Sequence, residues 1–157
     1  YFGCALLAGT EEYKQRIAIF KKRLSDISWI FLYEFCTPLP GEAQSRLLPH
    51  KIYKNDIIDG VGQSLVVLGD LTYPSTGLGG ELAIAMREHK VRTMMFACKF
   101  TKTHGGEKVP TNVSKLWLGA PFHNPNASFD WYEDSLDELF DKIVSELELI
   151  FKKISKK

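Results

Sequence analysis

The residue with the clearest chemical potential is Glu81, which follows a glycine-rich turn. A buried apolar segment, Leu65–Leu68, leads into the turn, and we expect Glu81 to open a helix that runs to His89. The turn itself contains Asp70, Pro74, Ser75, Gly77, Gly79 and Gly80. A strand, a glycine-rich turn and a helix in this order present backbone N–H groups to an anion. Because a carboxylate would repel a phosphate, we expect Glu81 to act on a group beside the phosphate.

Two other interpretations of this turn compete with an anion site. Gly77, Gly79 and Gly80 loosely echo the G-x-G-x-x-G fingerprint of dinucleotide-binding proteins. In those proteins the fingerprint follows the first strand, and an acidic residue lies at the end of the next strand. Neither condition holds in this sequence. The glycines can also serve close packing between helix and strand, with Glu81 favoured by the helix dipole. This purely structural interpretation stays open when the turn is considered alone.

A second candidate cluster is the segment Tyr53–Asp56, with the sequence Tyr-Lys-Asn-Asp. It lies on a short helix expected over Lys51–Gly62, before the strand that starts at Ser64. Taken alone, it is most simply a polar helix face. In a parallel α/β fold, however, this helix can lean over the same crevice as the turn, and Asp56 would then form a carboxylate pair with Glu81. Glycosyl transfer uses such pairs, one carboxylate attacking the anomeric carbon while the second group assists.

Other chemistries have less support. The four histidines are scattered along the chain, at His50, His89, His104 and His123. No ligand spacing links them, so we expect no metal site. Neither Ser75 nor Ser114 lies in a G-x-S-x-G motif, which argues against a serine hydrolase. The three cysteines are far apart and lie outside any C-x-x-C motif, which favours a reducing compartment and a cytoplasmic location.

The composition indicates a single domain over residues 1–157. With 45% hydrophobic and 25% charged residues, the chain can bury a core without disulfides or metal. The net charge of +1 gives no reason to expect nucleic-acid polymers or anionic membranes as partners. No apolar stretch approaches the ~20 residues that span a bilayer. No secretory signal is visible, and the lack of an initiator Met is consistent with residues missing upstream of Tyr1.

Alternating apolar runs and helical patterns predict the fold class. Strands are expected over Tyr1–Ala8, Ser28–Phe35, the segment from Ser64, Val91–Cys98 and Ala127–Tyr132. A helix capped by Thr10 is expected to place Tyr13, Ile17, Phe20 and Leu24 on one face, and a long final helix is expected from about Leu136. Lys99–Asn112 is expected to be a mobile loop. We therefore predict an α/β three-layer sandwich, flavodoxin- or Rossmann-like, with a five-stranded parallel sheet in the order 2-1-3-4-5. In that order a ligand binds at the carboxyl ends of strands 1 and 3, where the glycine-rich turn falls.

Several motifs resemble those of a known family. Pro74–Leu82 is similar to a P-S-x-G-x-G-x-E-L signature, and Tyr53–Asp56 to a Y-x-N-D stretch. The opening Tyr1 and the loop at Gly9 match a tyrosine-led first strand and its glycine-rich loop, and Val113–Gly119 is similar to a segment that reaches a neighbouring subunit. The family is the nucleoside 2-deoxyribosyltransferase superfamily, and its most similar branch comprises the 2′-deoxynucleoside 5′-monophosphate N-glycosidases. The resemblance covers about residues 1–145.

The resemblance implies roles for particular residues. Glu81 would be the nucleophile that forms a glycosyl ester at C1′ of the sugar, Asp56 would hold sugar hydroxyls or assist departure of the base, and Tyr1 would orient the sugar or the nucleophile. Substrate-binding positions would be Ser75, Gly77, Gly79, Leu6, Asn55 and Ser114. Ser75 and the Gly77 backbone would bind a 5′-phosphate, and Ser114 would reach it from a second subunit. The implied partners are therefore a small nucleoside or nucleotide and a second copy of the chain, in a homodimer or larger homo-oligomer, with no metal or organic cofactor.

The sequence leaves several alternatives open. Transfer of the sugar to water would make the protein a hydrolase, and transfer to a second base would make it a transferase. Leu7 stands where the glycosidase branch has an arginine that clamps the phosphate, so the choice between nucleoside and monophosphate is open. A catalytically silent nucleotide-binding or sensing module of the same fold is a further possibility. A glycohydrolase for another N-glycoside, such as NAD, is the third.

Overall fold

The computed structural model describes residues 1–5, 8–32, 48–103, 105–133 and 135–156. Within them the chain has an α/β fold with a four-stranded parallel sheet and a separate antiparallel hairpin. The strands are β1 (Phe2–Cys4), β2 (Val66–Asp70), β3 (Arg92–Cys98), β4 (Phe100–Lys102), β5 (Lys108–Pro110) and β6 (Ala127–Tyr132). The predicted α/β class with a parallel sheet is therefore confirmed.

Helices lie on both faces of the sheet. They are α1 (Glu11–Ser25), α2 (Pro49–Tyr53), α3 (Thr76–Ile84), α4 (Lys115–His123) and α5 (Asp137–Ile154). Helix α2 continues as a wider, π-type helix over Lys54–Gly60 and a 3₁₀ turn over Val61–Gln63, and α3 continues as a π-type helix over Ala85–His89. Among these described helices, none combines the length and the apolar character that crossing a membrane requires.

The parallel sheet has the strand order β1-β2-β3-β6. Its register places Gly3 beside Gly69 and Cys4 beside Asp70. Strand β2 is buried along its whole length because helices cover both of its faces, which explains the apolar run at Val66–Leu68. Since all four strands run in the same direction, their carboxyl ends meet at one edge of the sheet, where α/β proteins bind ligands.

Alternate residues of the strands supply two separate cores. On one face, Phe2, Leu68 and Phe96 pack against α1 and α5. The ring of Phe20, from α1, lies with its centroid 5.8 Å from that of Phe2 and 5.9 Å from that of Phe96. On the other face, Val67 belongs to the cluster that packs against α3. Adjacent residues of β2 thus serve opposite faces, as the period of two in a strand requires.

The predicted first helix is confirmed as α1. The Thr10 hydroxyl accepts a hydrogen bond from the Tyr13 backbone N–H at 3.3 Å, so it caps the helix as expected. The residues predicted to share one helical face are all buried: Tyr13, Ile17, Phe20 and Leu24. The apolar stripe of α5 likewise buries Leu139 and Ile143. A helical period in a long segment is therefore a dependable signal in this chain.

The predicted strand Ser28–Phe35 is not formed where the structure describes it. Residues 28 and 29 form a turn after α1, in which the Ile30 N–H donates to the Ile27 carbonyl at 2.9 Å, and residues 30–32 have no regular secondary structure. Ile30 and Leu32 still pack against the core on the α1 face, so their apolar pattern reflects burial rather than a strand. Residues 33–35 lie outside the described residues. The five-stranded order 2-1-3-4-5 is accordingly not confirmed.

Two further boundaries differ from the prediction. The helix expected to open at Glu81 begins at Thr76, because the Ser75 hydroxyl caps it by accepting from the Leu78 N–H at 3.3 Å. Glu81 therefore lies in the second turn of α3, and the glycines lie inside the helix despite their low helix propensity. The expected mobile loop over Lys99–Asn112 contains the hairpin of β4 and β5.

Candidate active site

Glu81 projects from the second turn of α3 toward β1. A Cβ built on Gly3 would lie 2.8 Å from Glu81 Oε2 and 2.6 Å from Leu78 Cδ1. Both distances are shorter than van der Waals contact, so a side chain at position 3 would collide with α3. A glycine inside a strand commonly marks such a close approach. Gly3 therefore allows the Glu81 carboxyl group to rest directly against the strand.

Tyr1 places its phenol beside two carboxyl groups. Its backbone carbonyl accepts a hydrogen bond from the Leu68 N–H at 2.9 Å, which fixes the residue next to β2. Its hydroxyl is a hydrogen-bond donor to the carboxylates of both Glu81 and Asp56. Since a phenol carries one proton, it can donate fully to only one carboxylate at a time. The structure thus brings together Glu81, Asp56 and Tyr1, from three separate segments of the chain.

Asp56 is carried by the π-type helix that follows α2, and it is buried. Four residues later, Gly60 lies against the Tyr1 ring. A Cβ built on Gly60 would be 2.8 Å from two ring carbons of Tyr1 and 3.0 Å from the Asn55 carbonyl oxygen. Wide helical turns of this type recur at functional sites. Gly60 therefore allows the helix that bears Asp56 to pack closely against Tyr1.

Burial controls the electrostatics of the acid pair. It raises the pKa of Glu81 to about 7, with a further contribution from the Asp56 charge and partial opposition from the Tyr1 hydrogen bond. Burial also raises the pKa of Asp56, again against a hydrogen bond from Tyr1. Asp56 Oδ1 is buried and has no hydrogen-bond partner among the described residues. Because an unpaired buried oxygen costs free energy, this oxygen can accept a hydrogen bond from a bound molecule.

The stability of the protein is expected to fall as the pH rises from about 5 to 7, in part because of Glu81. The pKa of Glu81 is about 7 in the folded protein, against a reference value of 4.5, so the folded state binds more protons in this window. The shift corresponds to roughly 3 kcal/mol once Glu81 is ionised. In Glu81→Gln this loss should be absent, and the melting temperature should decline less between pH 5 and 8. Glu88→Gln, at an exposed position of the same helical segment, is the control; identical declines in all three proteins would contradict the prediction.

The predicted phosphate-binding residues lie at the start of α3. Ser75 is the N-cap, and a Cβ built on Gly77 would lie 3.9 Å from both Ser75 Oγ and Glu81 Oε1. Ser75, Gly77 and Glu81 therefore share one side of the helix. Gly79 does not, because a Cβ built there would face the Trp117 ring at 3.5 Å. Gly79 thus serves the packing of α3 against α4.

The structure does not join the other predicted binding residues to the acid pair. Asn55 is half-buried, and no hydrogen bond of its side chain to Glu81 or Asp56 is present in the described part of the chain. Ser114 is exposed and caps α4, where its hydroxyl accepts from the Leu116 N–H at 3.3 Å. Leu6 lies outside the described residues.

Sequence reasoning missed Gly3 and Gly60, which give Glu81 and Asp56 their positions. The available signal was an isolated glycine within an apolar strand or a helix, where glycine is otherwise unfavourable. Only the packed structure shows that Gly3 faces Glu81 and that Gly60 faces Tyr1. These two residues are therefore part of the site although neither carries a functional group.

No protein-family model matches the chain, and no curated protein matches it. In the ranges that the structure describes, no group of three or more His, Cys, Asp or Glu side chains could hold a metal ion. What the site can do chemically is thus given by its own groups: a buried carboxyl, a half-buried carboxyl, a phenol and the start of a helix.

Proposed function

We propose that the protein cleaves the N-glycosidic bond of a 2′-deoxynucleoside or its 5′-monophosphate through a covalent intermediate on Glu81. The observation that carries this proposal is the pair of carboxyls, half-buried Glu81 and buried Asp56, which share the Tyr1 hydroxyl. Two carboxyls with perturbed pKa values can divide the roles of nucleophile and assisting group. The resemblance to the nucleoside 2-deoxyribosyltransferase superfamily, through Pro74–Leu82 and Tyr53–Asp56, supports the same chemistry.

In the first step, ionised Glu81 attacks C1′ and the bond between C1′ and the base nitrogen breaks. The bonding electron pair leaves with the base, which gains a proton from water, while ionised Asp56 holds a sugar hydroxyl. The hydroxide formed is neutralised by the proton that Asp56 takes up in the second step and then releases. In the second step, water attacks C1′ of the Glu81 ester, loses a proton to Asp56, and releases the sugar and the Glu81 carboxylate. A second base in place of water gives transfer instead of hydrolysis. Because the pKa of Glu81 is about 7, a substantial fraction is ionised at neutral pH.

Substrate binding is assigned by the same proposal. Ser75 and the Gly77 backbone would receive a 5′-phosphate at the start of α3, where the helix dipole favours an anion. Asp56 Oδ1, which lacks a partner among the described residues, would accept from a sugar hydroxyl. Ser114 would reach the phosphate from the second subunit of a homodimer.

The five-stranded order 2-1-3-4-5, with a further strand at the edge of β1, belongs to this proposal as well.

Replacement of Gly3 by Ala is expected to lower turnover about tenfold. The new Cβ would occupy a position 2.8 Å from Glu81 Oε2, so the carboxyl group must move, and misplacement of a reacting group by about 1 Å can cost up to a hundredfold. Gly80→Ala is the matched control, since a Cβ there meets nothing within 4 Å. Both variants should be measured by base release and by thermal unfolding. Equal turnover in the two variants would show that Gly3 does not position Glu81.

The proposal is tested by incubating the protein with deoxynucleosides, their 5′-monophosphates and NAD, with and without an acceptor base. Liquid chromatography then measures the free base or nicotinamide. Release of a base from a deoxynucleoside or its monophosphate supports the proposal and identifies the substrate class. Release from NAD alone favours the alternative glycohydrolase. Tight binding without any release favours a silent nucleotide-binding module and contradicts the enzymatic proposal.

A further inference from the structure

A separate cavity lies at the carboxyl edge of the sheet, on the α1 side. It has a volume of about 280 Å³ and is bounded by α1, the segment after β2 and the β4–β5 hairpin. Tyr13 and Tyr73 form one wall, with ring centroids 4.9 Å apart. Both tyrosines belong to the core on the α1 face, whereas Tyr1, beside Glu81, belongs to the core on the opposite face. The cavity and the acid pair are therefore on different faces of the sheet.

Cationic side chains predominate among the charged lining residues that the structure describes. Arg16, Lys102 and Lys108 contribute three positive charges, and Glu12 contributes one negative charge. A Glu12 oxygen lies 2.6 Å from Lys102 Nζ, and the other lies 3.8 Å from Arg16 Nη2. One carboxylate thus contacts two cations, and the described lining residues together carry a net positive charge. Such a concave, positively charged surface attracts small anions.

Arg16 has the donors to bind an anion directionally. Its side chain is 24% exposed, and its Nη1 donates to Cys98 Sγ at 3.6 Å. The thiol donates its own proton to the Glu133 carbonyl at 2.9 Å and is a weak acceptor. A guanidinium has five N–H donors, so these contacts occupy only a part of its capacity. Arg16 can therefore still donate to a ligand in the cavity.

Asp70, the last residue of β2, already has hydrogen-bond partners within the protein. Asp70 is completely buried and does not line the cavity. Its carboxylate accepts hydrogen bonds from the Thr72 N–H at 2.8 Å and from the Tyr132 hydroxyl at 3.0 Å. The Thr72 hydroxyl, which does line the cavity, in turn accepts from the Cys98 N–H at 2.9 Å. This network fixes the floor of the cavity behind the cations.

We infer that this cavity binds a phosphate group, as inorganic phosphate or as a small phosphate monoester. A guanidinium matches two phosphate oxygens with parallel hydrogen bonds, and the lysines supply additional charge. The excess of positive charge among the described lining residues suits a dianion better than a singly charged carboxylate. The inference goes beyond the proposed function because it requires no reaction at Glu81.

The test is isothermal titration of the folded protein with inorganic phosphate and with glycerol 3-phosphate, at constant ionic strength set with chloride. In Arg16→Gln the affinity should fall about tenfold, since a charge-assisted hydrogen-bonding group is lost. In Lys102→Gln it should fall about threefold, because that side chain is half-exposed. In Glu12→Gln it should rise about threefold, since the opposing carboxylate is gone. Arg87→Gln, an exposed cation that does not line the cavity, is the charge-matched control and should bind like the wild type.

The two probes distinguish the sources of the phosphate, since the tighter ligand identifies the free ion or the ester. Absence of binding to the wild type up to ~50 mM of either probe would overturn the inference. An equal loss of phosphate affinity in Arg16→Gln and Arg87→Gln would also overturn the inference, because it would reflect the net charge of the protein rather than a contact in the cavity. If Arg16→Gln fails to fold, as judged by circular dichroism, the inference is tested by the other two variants. A lower affinity in Lys102→Gln together with a higher affinity in Glu12→Gln supports it, and any other result contradicts it. Phosphate binding is measured independently of base release, so the inference can be supported or overturned separately from the proposed function.

Discussion

Replacement of Glu81 by Gln is expected to lower the release of free base at least about a thousandfold. Gln keeps the shape of the side chain but cannot form an ester with C1′, and loss of a covalent nucleophile removes most of an enzyme's rate enhancement. The fold should be retained or stabilised, because the variant removes a carboxylate that burial disfavours. Chromatography of the free base, with circular dichroism of the same sample, measures both effects.

The matched control for this variant is Glu88→Gln, which removes an exposed carboxylate from the segment that continues α3. Its rate of base release should equal that of the wild type. Intact-mass spectrometry after acid quenching provides a second readout, since the wild type should gain the mass of one sugar moiety and Glu81→Gln should not. Normal turnover in Glu81→Gln would exclude Glu81 as the nucleophile.

Replacement of Asp56 by Asn should lower turnover about a hundredfold, the typical contribution of a general acid or base. It should also change the pH dependence of kcat/KM. That parameter should rise with pH as Glu81 ionises, near its pKa of about 7. Because the Asp56 charge is one of the causes that raise this pKa, its removal should move the rise to lower pH.

Asp59→Asn is the matched control, since Asp59 lies on the same π-type helix and pairs with Lys54 at the surface. It should keep the rate and the pH profile of the wild type. A reduced rate in Asp56→Asn with an unshifted pH profile would show that the two carboxyls do not interact electrostatically. An unchanged rate would show that Asp56 has no catalytic role and is only part of a polar helix face.

The long helical pattern of α1 predicted its element well, whereas short apolar runs were less dependable: those at Val91–Cys98 and Ala127–Tyr132 form strands, and residues 28–32 do not. The face of α1 formed by Tyr13, Ile17 and Phe20 is buried as expected, because four helical turns leave little ambiguity. Residues 28–32 were assigned to a strand on a short apolar run, which a packed turn satisfies equally well. The start of α3 was placed too late because glycine suggests a turn, whereas the Ser75 cap and packing against the sheet stabilise a helix there.

The site could be predicted only in part, because local sequence patterns do not encode contacts between distant segments. The parallel topology allowed the segment at Asp56 to meet Glu81, and the structure places both beside Tyr1. The roles of Gly3 and Gly60 depend on distances between segments far apart in sequence, which no local pattern encodes. The pKa of Glu81 depends likewise on burial by neighbours and could not be read from residue types. Ser114 and Asn55 were assigned through the resemblance alone, and their roles stay predictions.

The pairing of β1 with β2 has a consequence for the native ensemble. Strand β1 has three residues and, within the described residues, pairs only with β2, more than sixty positions along the chain. Short strands with few ladder bonds open locally at a lower free energy than long strands at the centre of a sheet. Such an opening would carry Tyr1 away from both carboxyls while β2, β3 and β6 stayed paired. The acid pair would then lose its shared hydrogen bond without global unfolding, so the fraction of molecules competent for chemistry can be smaller than the folded fraction.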